Sequence, residues 1–548
     1  MELQKELQKL IRGDVETSDE ILEEYSTDAS LFKVRPLVVV FPKDAEDVKN
    51  IVRFVLENKK EHSELSLTAR SAGTDMSGGP LSESIVMVFT RYMNKFSINA
   101  EAKTAVVQPG VYYRDFEKES LKNNLLLPSY PASKSIAAMG GLINNNSGGE
   151  LTERYGKTEL YVKKLKMVLR DGNEYEFGKI EKNELERKML PDGLRGEVYR
   201  KMYETVQNNY QTIKNAKPDV AKNSAGYGLW NVWDRDTEEF DLTQIFVGAQ
   251  GTLGIMTEAE IQLITPKPRK KMIVLFLPGL NELPSIVNAL LPLKPESLEA
   301  FDGATLKLAF RFFPSIAKKA GVNLISFLFK FIPEGLLMLQ MLGLPKMVIL
   351  IQFAEDTGEE AERKISEAEK LLLKFNAKKR VMHDDAEGEK YRVIRRESFA
   401  LLREHVKGKR TAPFVDDFIV KPEYLPEVLP KVYSILKEHG INKTIAGHAG
   451  SGNFHIIPLM DLTKEEEKEK IPVVSEKIYD LILQYGGSIT AEHNDGLIRS
   501  PYLEKMFGHE VYNLFEEVKR IFDPDNIFNP GKKVGASMEY AMEHIEHK

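Results

Sequence analysis

The sequence predicts an α+β fold divided into two or three domains, and three observations carry that reading. Its 548 residues exceed what a single hydrophobic core supports. Apolar residues make up 42% of the chain, a globular value with ample material for sizeable cores. Short β-rich runs alternate with helical segments early on, and glycine-rich loops then punctuate the strands.

In chain order, LVVVF at 37–41 and IVMVF at 85–89 read as strands, as do AVVQP at 105–109 and KMVLRDG at 166–172. IFVGAQGTLGIMTEAEIQLI at 245–264 reads as two strands around Gly-Thr-Leu-Gly. DAEDVKNIVRFVLENKK at 44–60 reads as a helix with Asp44 as its N-cap. Pro266-Lys267-Pro268 marks a linker. Beyond it, KMIVLFLPG at 271–279 and MVILIQFAED at 347–356 read as strands, and EEAERKISEAEKLLLKF at 359–375 as an amphipathic helix. No internal repeat stands out.

Composition excludes several function classes. A net charge of −6 gives no basic excess for a nucleic-acid partner. The absence of cysteine removes disulfides, thiolate nucleophiles, cysteine-ligated zinc and ordinary iron–sulfur clusters. The charged, amphipathic N-terminus lacks the apolar region of a secretory signal, and no uninterrupted apolar run spans a bilayer, so a cytoplasmic protein is expected. GVNLISFLFKFIPEGLLMLQMLGLP at 321–345 comes nearest, but Lys330, Pro333 and Glu334 interrupt it. Two readings of it stay open: a hairpin lying peripherally on the inner face of a membrane, with access to quinone, or a buried helical pair over the substrate site or a subunit interface.

Three glycine-rich loops point to an extended polar cofactor laid across backbone: LTARSAGTDMSGGP at 67–80, LPSYPASKSIAAMGGLINNNSGGELTERYGK at 127–157 and VGAQGTLGIMTE at 247–258. Glycine lets a backbone approach a bulky anion, and Thr74 and Ser77 add hydroxyl donors. None of the three is a Walker A or Rossmann fingerprint.

Their order and spacing, with YSTDASLFKVRPLVVVFPKDAEDVKNIV at 25–52 before them and Asn529-Pro530-Gly531-Lys532 after, resemble the PCMH-type FAD-binding domain of the vanillyl-alcohol oxidase superfamily. The resemblance implies FAD contacts from Arg70, Ser71, Ala72, Gly73, Thr74, Asp75, Met76 and Ser77 in the first loop. It adds Pro131, Ser133, Gly140, Gly141, Asn146, Gly148, Tyr155 and Gly156 in the second, then Gly251, Gly254, Ile255 and Asn529. Relatives that tether the flavin often carry a histidine in the first loop. Thr74 and Asp75 stand there instead, which implies noncovalent FAD.

AGHAGSGNFHIIPL at 446–459 places His448 and His455 in a glycine-rich stretch, and Glu492 and His493 follow in GGSITAEHNDGLIRSPYL at 486–503. Two histidines and a carboxylate form a common ligand set for a divalent ion with open coordination positions. Consecutive strand residues face opposite ways, so Glu492 and His493 could take different roles. These motifs resemble the 2-hydroxyacid dehydrogenase branch with its FAD-linked oxidase C-terminal domain. The resemblance implies His448, His455 and Glu492 as ligands of zinc, manganese or iron, and His493 as the base. Asn494 stands where the branch has glycine. Arg396, next to Arg395, is implied as the substrate-carboxylate contact, and Arg499 is a second candidate anion contact.

The implied architecture is a two-subdomain FAD-binding domain at 1–268 and an α+β substrate domain at 269–534, followed by a tail at 535–548. The second domain has an antiparallel sheet, a C-terminal helical segment and an apolar insertion near 310–345. The implied reaction oxidises a D-2-hydroxy acid such as D-lactate, D-2-hydroxyglutarate or glycolate to the 2-oxo acid. The acceptor expected is a quinone, an electron-transfer flavoprotein or a separate iron–sulfur subunit, and an oligomer is left open. Two alternatives stand beside this. One is an ether-lipid enzyme like alkyl-glycerone-phosphate synthase, whose run of consecutive histidines is here His448-Ala449-Gly450. The other is a flavin-binding electron-transfer subunit of a larger complex.

Overall fold

The computed structural model describes residues 3–312, 314, 341, 343–382, 387–395 and 408–546, and three sheets organise them. Arg396 and nearly all of the apolar insertion at 310–345 lie outside the described residues.

The first sheet orders four strands as Asp14–Glu16, Val38–Phe41, Ile85–Val88 and Leu67–Arg70, the last three parallel. Its continuous apolar runs follow from burial on both faces. Val38 and Val40 pack against Val48, Ile51 and Val52 of helix Ala45–Asn58, while Val39 and Phe41 pack against Leu22 on the other side. The helix starts where the sequence predicts, because the Asp44 carboxylate accepts from Glu46 N at 3.0 Å and Asp47 N at 3.3 Å.

The second sheet is antiparallel. It runs Phe96–Asn99, Thr104–Val107, Ile255–Gln262, Val162–Val168, Glu174–Glu181, Glu239–Asp241, Trp233–Asp234. Here the reading of 245–264 as two strands is corrected. Thr243–Phe246 forms a helical turn, and only Ile255–Gln262 is a strand. Gly248, Gln250 and Gly251 have φ of 84°, 53° and 69°, which a strand does not tolerate.

The third sheet is antiparallel with eight strands. Along its path lie Lys378–Met382, Arg269–Leu277, Met347–Glu355, Ser297–Asp302, Asn442–His448, Asn453–Met460 and Arg410–Thr411, and Phe418–Ile419 joins Asn453–Met460 from the side. Helices Leu283–Leu290, Gly358–Leu372, Leu425–Glu438 and Lys470–Gln484 bury their apolar sides on it. Among the described residues no helix is long and apolar enough to cross a membrane.

The chain then returns to its first half. Helix Leu503–Phe522 puts Val511, Leu514, Phe515, Val518 and Phe522 into the core of the second sheet, and Phe528 bridges Leu67. Phe515 is fully buried, edge-on to Tyr227 at 5.9 Å and to Phe507 at 5.1 Å between ring centroids. Phe515→Ala removes this contact and leaves a cavity, so it should cost about 3–5 kcal/mol. A urea melt of the variant should show the loss, and a midpoint equal to that of the parent would refute it.

Candidate active site

One cavity of about 800 Å³ runs from the glycine-rich loops of the first half to the edge of the third sheet. At the loop end, Asp75 organises the wall. Its Oδ2 accepts from Ser77 N at 2.9 Å, Ser77 Oγ at 2.8 Å and Gly79 N at 2.8 Å, and its Oδ1 accepts from Asn145 Nδ2 at 2.7 Å. One carboxylate thus shapes the first loop and ties it to the second. The Arg70 guanidinium lies beneath, donating to Thr27 O at 2.8 Å and Tyr25 O at 3.3 Å. A Cβ on Gly73 would fall 2.3 Å from Arg70 Nη2, so glycine is required there.

Arg70 through Met76, Pro131, Ser133, Gly140, Gly141, Gly148, Gly251 and Gly254 line this cavity. Ser77, Asn146, Tyr155, Gly156, Ile255 and Asn529 do not; they stand behind its wall. Asn529 is fully buried and clamps two loops, donating from Nδ2 to Gly79 O at 2.9 Å and to Gln250 O at 2.7 Å. Asn146 Nδ2 donates to Glu159 Oε2 at 2.7 Å. A Cβ on Gly141 would meet nothing closer than Ser71 Cβ at 4.0 Å, so that backbone opens onto free space. A large open cavity hugged by bare backbone fits a dinucleotide such as FAD.

At the other end, His448 closes strand Asn442–His448 and His455 sits on the paired strand Asn453–Met460. Glu492 and His493 lie in a loop, not on a strand, and both face the cavity. Asn494, with φ 66°, turns the chain there and ties it back by donating to Gly248 O at 2.8 Å. Asparagine tolerates this left-handed backbone, so it serves where a glycine would. Glu492 Oε2 is 3.3 Å from His448 Nε2 and 3.9 Å from His455 Nε2, while Lys222 pairs with its Oε1. His493 stacks on His455 with ring centroids 4.9 Å apart, and its Nδ1 lies 2.7 Å from Asp416 Oδ2.

Ligand-type atoms of Asp417, His455, Glu492 and His493 all lie within 4.8 Å of one another. Asp417 is the member least able to bind an ion. Its Oδ2 already accepts from Thr490 Oγ1 and from Ala491 N at 2.8 Å each, from Glu492 N at 2.8 Å and from His493 N at 2.7 Å. Its Oδ1 takes Asn453 Nδ2 at 3.1 Å. His448 faces the cavity and Asp417 does not. The donor set of two imidazoles and one carboxylate oxygen fits a divalent ion.

Burial, with the charges of His493 and His448, holds His455 down at about 3, so it is a neutral donor at any physiological pH. Burial also opposes charge on His493, but Asp417 and Asp416 outweigh it and push His493 up to about 9. Burial would raise Glu492, yet His448 and Lys222 hold it well below the usual carboxylate range.

Lys222, Glu299, Asp416 and Asp417 belong to this site and carry no motif. Three left a trace: Asp416-Asp417 interrupts the apolar run TAPFVDDFIV, and Glu299 sits in SLEAFD, a strand buried at every position. Arg499 is fully buried against Asp416 and Asn494 O, behind the wall. Arg395, Arg396's neighbour, does line the cavity.

Residues 270–533 match the family model of FAD linked oxidases, C-terminal domain, and residues 36–178 match that of the FAD binding domain. The chain thus carries an FAD binding domain followed by the C-terminal domain of FAD linked oxidases. It is 29% identical to D-2-hydroxyglutarate dehydrogenase of Pseudomonas putida over 535 residues, 95% of this chain and 50% of that protein. It spans about half the length of the curated relatives it matches first. Glycolate oxidase subunit GlcD of Bacillus subtilis is 27% identical over 516 residues, 93% of this chain and 91% of that one. The crystal structure of p-cresol methylhydroxylase with substrate bound superposes with a TM-score of 0.67 at 16% identity, covering 97% of this chain and 96% of that one. That likeness is one of fold.

Gly141→Val tests the cradle. The added side chain fills open cavity without a backbone clash. The variant should fold with unchanged circular dichroism yet purify colourless, and a yellow variant with full FAD content would refute the assignment.

Proposed function

We propose that this protein oxidises a D-2-hydroxy acid to the 2-oxo acid. One observation carries the reading: an imidazole oriented by a carboxylate, His493 on Asp416, shares one cavity with the ion-type ligands His448, His455 and Glu492 and with the glycine-rich cradle. The names of the relatives support the substrate class, and the D configuration rests on them.

His448, His455 and Glu492 would hold a divalent ion, zinc, manganese or iron, and Arg70–Met76, Gly140, Gly141, Gly251 and Gly254 would cradle noncovalent FAD. When bound, FAD supplies a ring that accepts hydride from the substrate Cα, and the ion supplies Lewis acidity toward the substrate hydroxyl. The chain's own residues do the rest. Arg395 offers its guanidinium to the substrate carboxylate; Arg396, the contact that the family resemblance implies, lies outside the described residues. Asp416 accepts from His493 Nδ1, which leaves Nε2 to take the hydroxyl proton. Lys222 neutralises Glu492 Oε1, so Glu492 presents one oxygen, Oε2, toward the histidines. Without cysteine for a relay, electrons leave for a quinone, an electron-transfer flavoprotein or an iron–sulfur subunit outside these residues.

The deciding experiment mixes purified protein anaerobically with a panel of D- and L-2-hydroxy acids and follows flavin absorbance near ~450 nm. Bleaching by a D-acid should be abolished by a chelator and by His493→Ala. A yellow protein that no hydroxy acid reduces would overturn the reading and favour an electron-transfer or ether-lipid role.

The pH dependence follows from His493. A base must be neutral to act, and its acid neighbours Asp417 and Asp416 raise its pKa, so kcat/KM should climb with rising pH as His493 loses its proton. Asp416→Asn removes one of those charges, so the rising limb should move to lower pH. A limb that stays in place would show that another group titrates.

A further inference from the structure

We propose that Glu299 is a positioning residue that sets the tautomer of His448 and anchors Arg395 beside it by an ion pair. This rests on the reading of His448, His455 and Glu492 as ion ligands. Glu299 lies on strand Ser297–Asp302, which pairs with strand Asn442–His448 through Ala300 and Gly447. It is 3% exposed, and a carboxylate so placed is tolerated only when both oxygens are paired. Oε1 lies 2.6 Å from His448 Nδ1, and Oε2 pairs with Arg395 Nε. Arg395 Nη2 lies against the same imidazole about equally far from both ring nitrogens, 3.3 Å from Nδ1 and 3.4 Å from Nε2, and so favours neither tautomer. Both partners face the cavity, whereas Glu299 stands behind them.

The chemistry follows from what a carboxylate can do. Ion-paired with the Arg395 guanidinium, this carboxylate only accepts hydrogen bonds. His448 Nδ1 must therefore carry the proton. The lone pair of Nε2 would then be left for an ion held between it and Glu492 Oε2, which lies 3.3 Å away. The same carboxylate holds the charged end of a long, flexible arginine beside the imidazole as an ion pair. One residue thus prepares both the ion ligand and the carboxylate anchor.

The test uses FAD-loaded protein stripped with a chelator and titrated with Zn²⁺ by calorimetry. Glu299→Gln keeps the shape and an accepting oxygen but loses the charge, so a packing role would survive it. The variant should bind Zn²⁺ about 10–100-fold more weakly than the parent, at unchanged FAD content. In case the variant does not fold, a second readout uses the parent alone. The ¹⁵N shifts of the His448 ring with Zn²⁺ bound, assigned by their loss in His448→Gln, should show a proton on Nδ1. Equal Zn²⁺ affinity of the two proteins, or a proton on Nε2, would overturn the role of Glu299 while leaving the ion site intact. A parent protein that takes up neither Zn²⁺ nor Mn²⁺ would overturn the ion site and Glu299's role with it.

Discussion

The Asp417 carboxylate is the point on which the active site depends. It is fully buried and gathers four donors on one oxygen, three of them successive backbone N–H groups. Hydrogen bonds to a charged group are worth about 1.5–3 kcal/mol each, so this knot outweighs the cost of bending the chain. The charges of His493 and Arg499 around it keep the carboxyl well below its usual range despite burial, so it stays an acceptor throughout physiological pH. Wrapping residues 491–493 around one oxygen turns the adjacent side chains of Glu492 and His493 to the same cavity.

Three buried lysines extend that knot into the cofactor half. Lys157 donates to Ala491 O at 2.7 Å and to Asn223 O at 2.9 Å. Lys533 reaches Asp495 Oδ2 at 2.7 Å and Gly226 O at 2.8 Å, and Lys222 pairs with Glu492. Segment 222–226 is thereby stitched to 491–495, and Phe515 packs against the ring of Tyr227 just beyond it. The loop bearing the catalytic candidates is held from the cofactor domain as well as from its own sheet. The two ends of the cavity are therefore tied together by buried contacts, as the proposed hydride transfer would need.

What the sequence made legible was whatever is contiguous. Strand runs, the helix cap at Asp44, the glycine-rich loops and the paired histidines could be read because each carries its signal within a few residues. The residues that arm the site could not. Lys222 and Glu492 are 270 positions apart, and nothing local distinguishes Lys222 from a surface lysine. Arg499 reads as an anion contact from its neighbours, yet its charge is spent on Asp416 behind the wall. The rule that consecutive residues face opposite ways fails at Glu492 and His493, because hydrogen bonds to a distant carboxylate override strand geometry there. Asn529 falls in a recognisable motif, but its work is to clamp two loops, which only their meeting in space reveals.

The charges behind the wall explain how so polar a site stays buried. Glu492 is paired with Lys222, Glu299 with Arg395, Asp416 with Arg499 and Asp495 with Lys533. Asp417 has no lysine or arginine in contact among the described residues and is balanced by a protonated His493, which accounts for the upward push on that imidazole. The resting site is therefore close to neutral, and unpaired charge in a low dielectric is what costs most. On the proposed function, a divalent cation and a hydroxy-acid monoanion would together bring one net positive charge. Loss of the His493 proton would offset it and would leave the neutral base that the proposed oxidation calls for. Charge balance would thus tie readiness of the base to occupancy of the site.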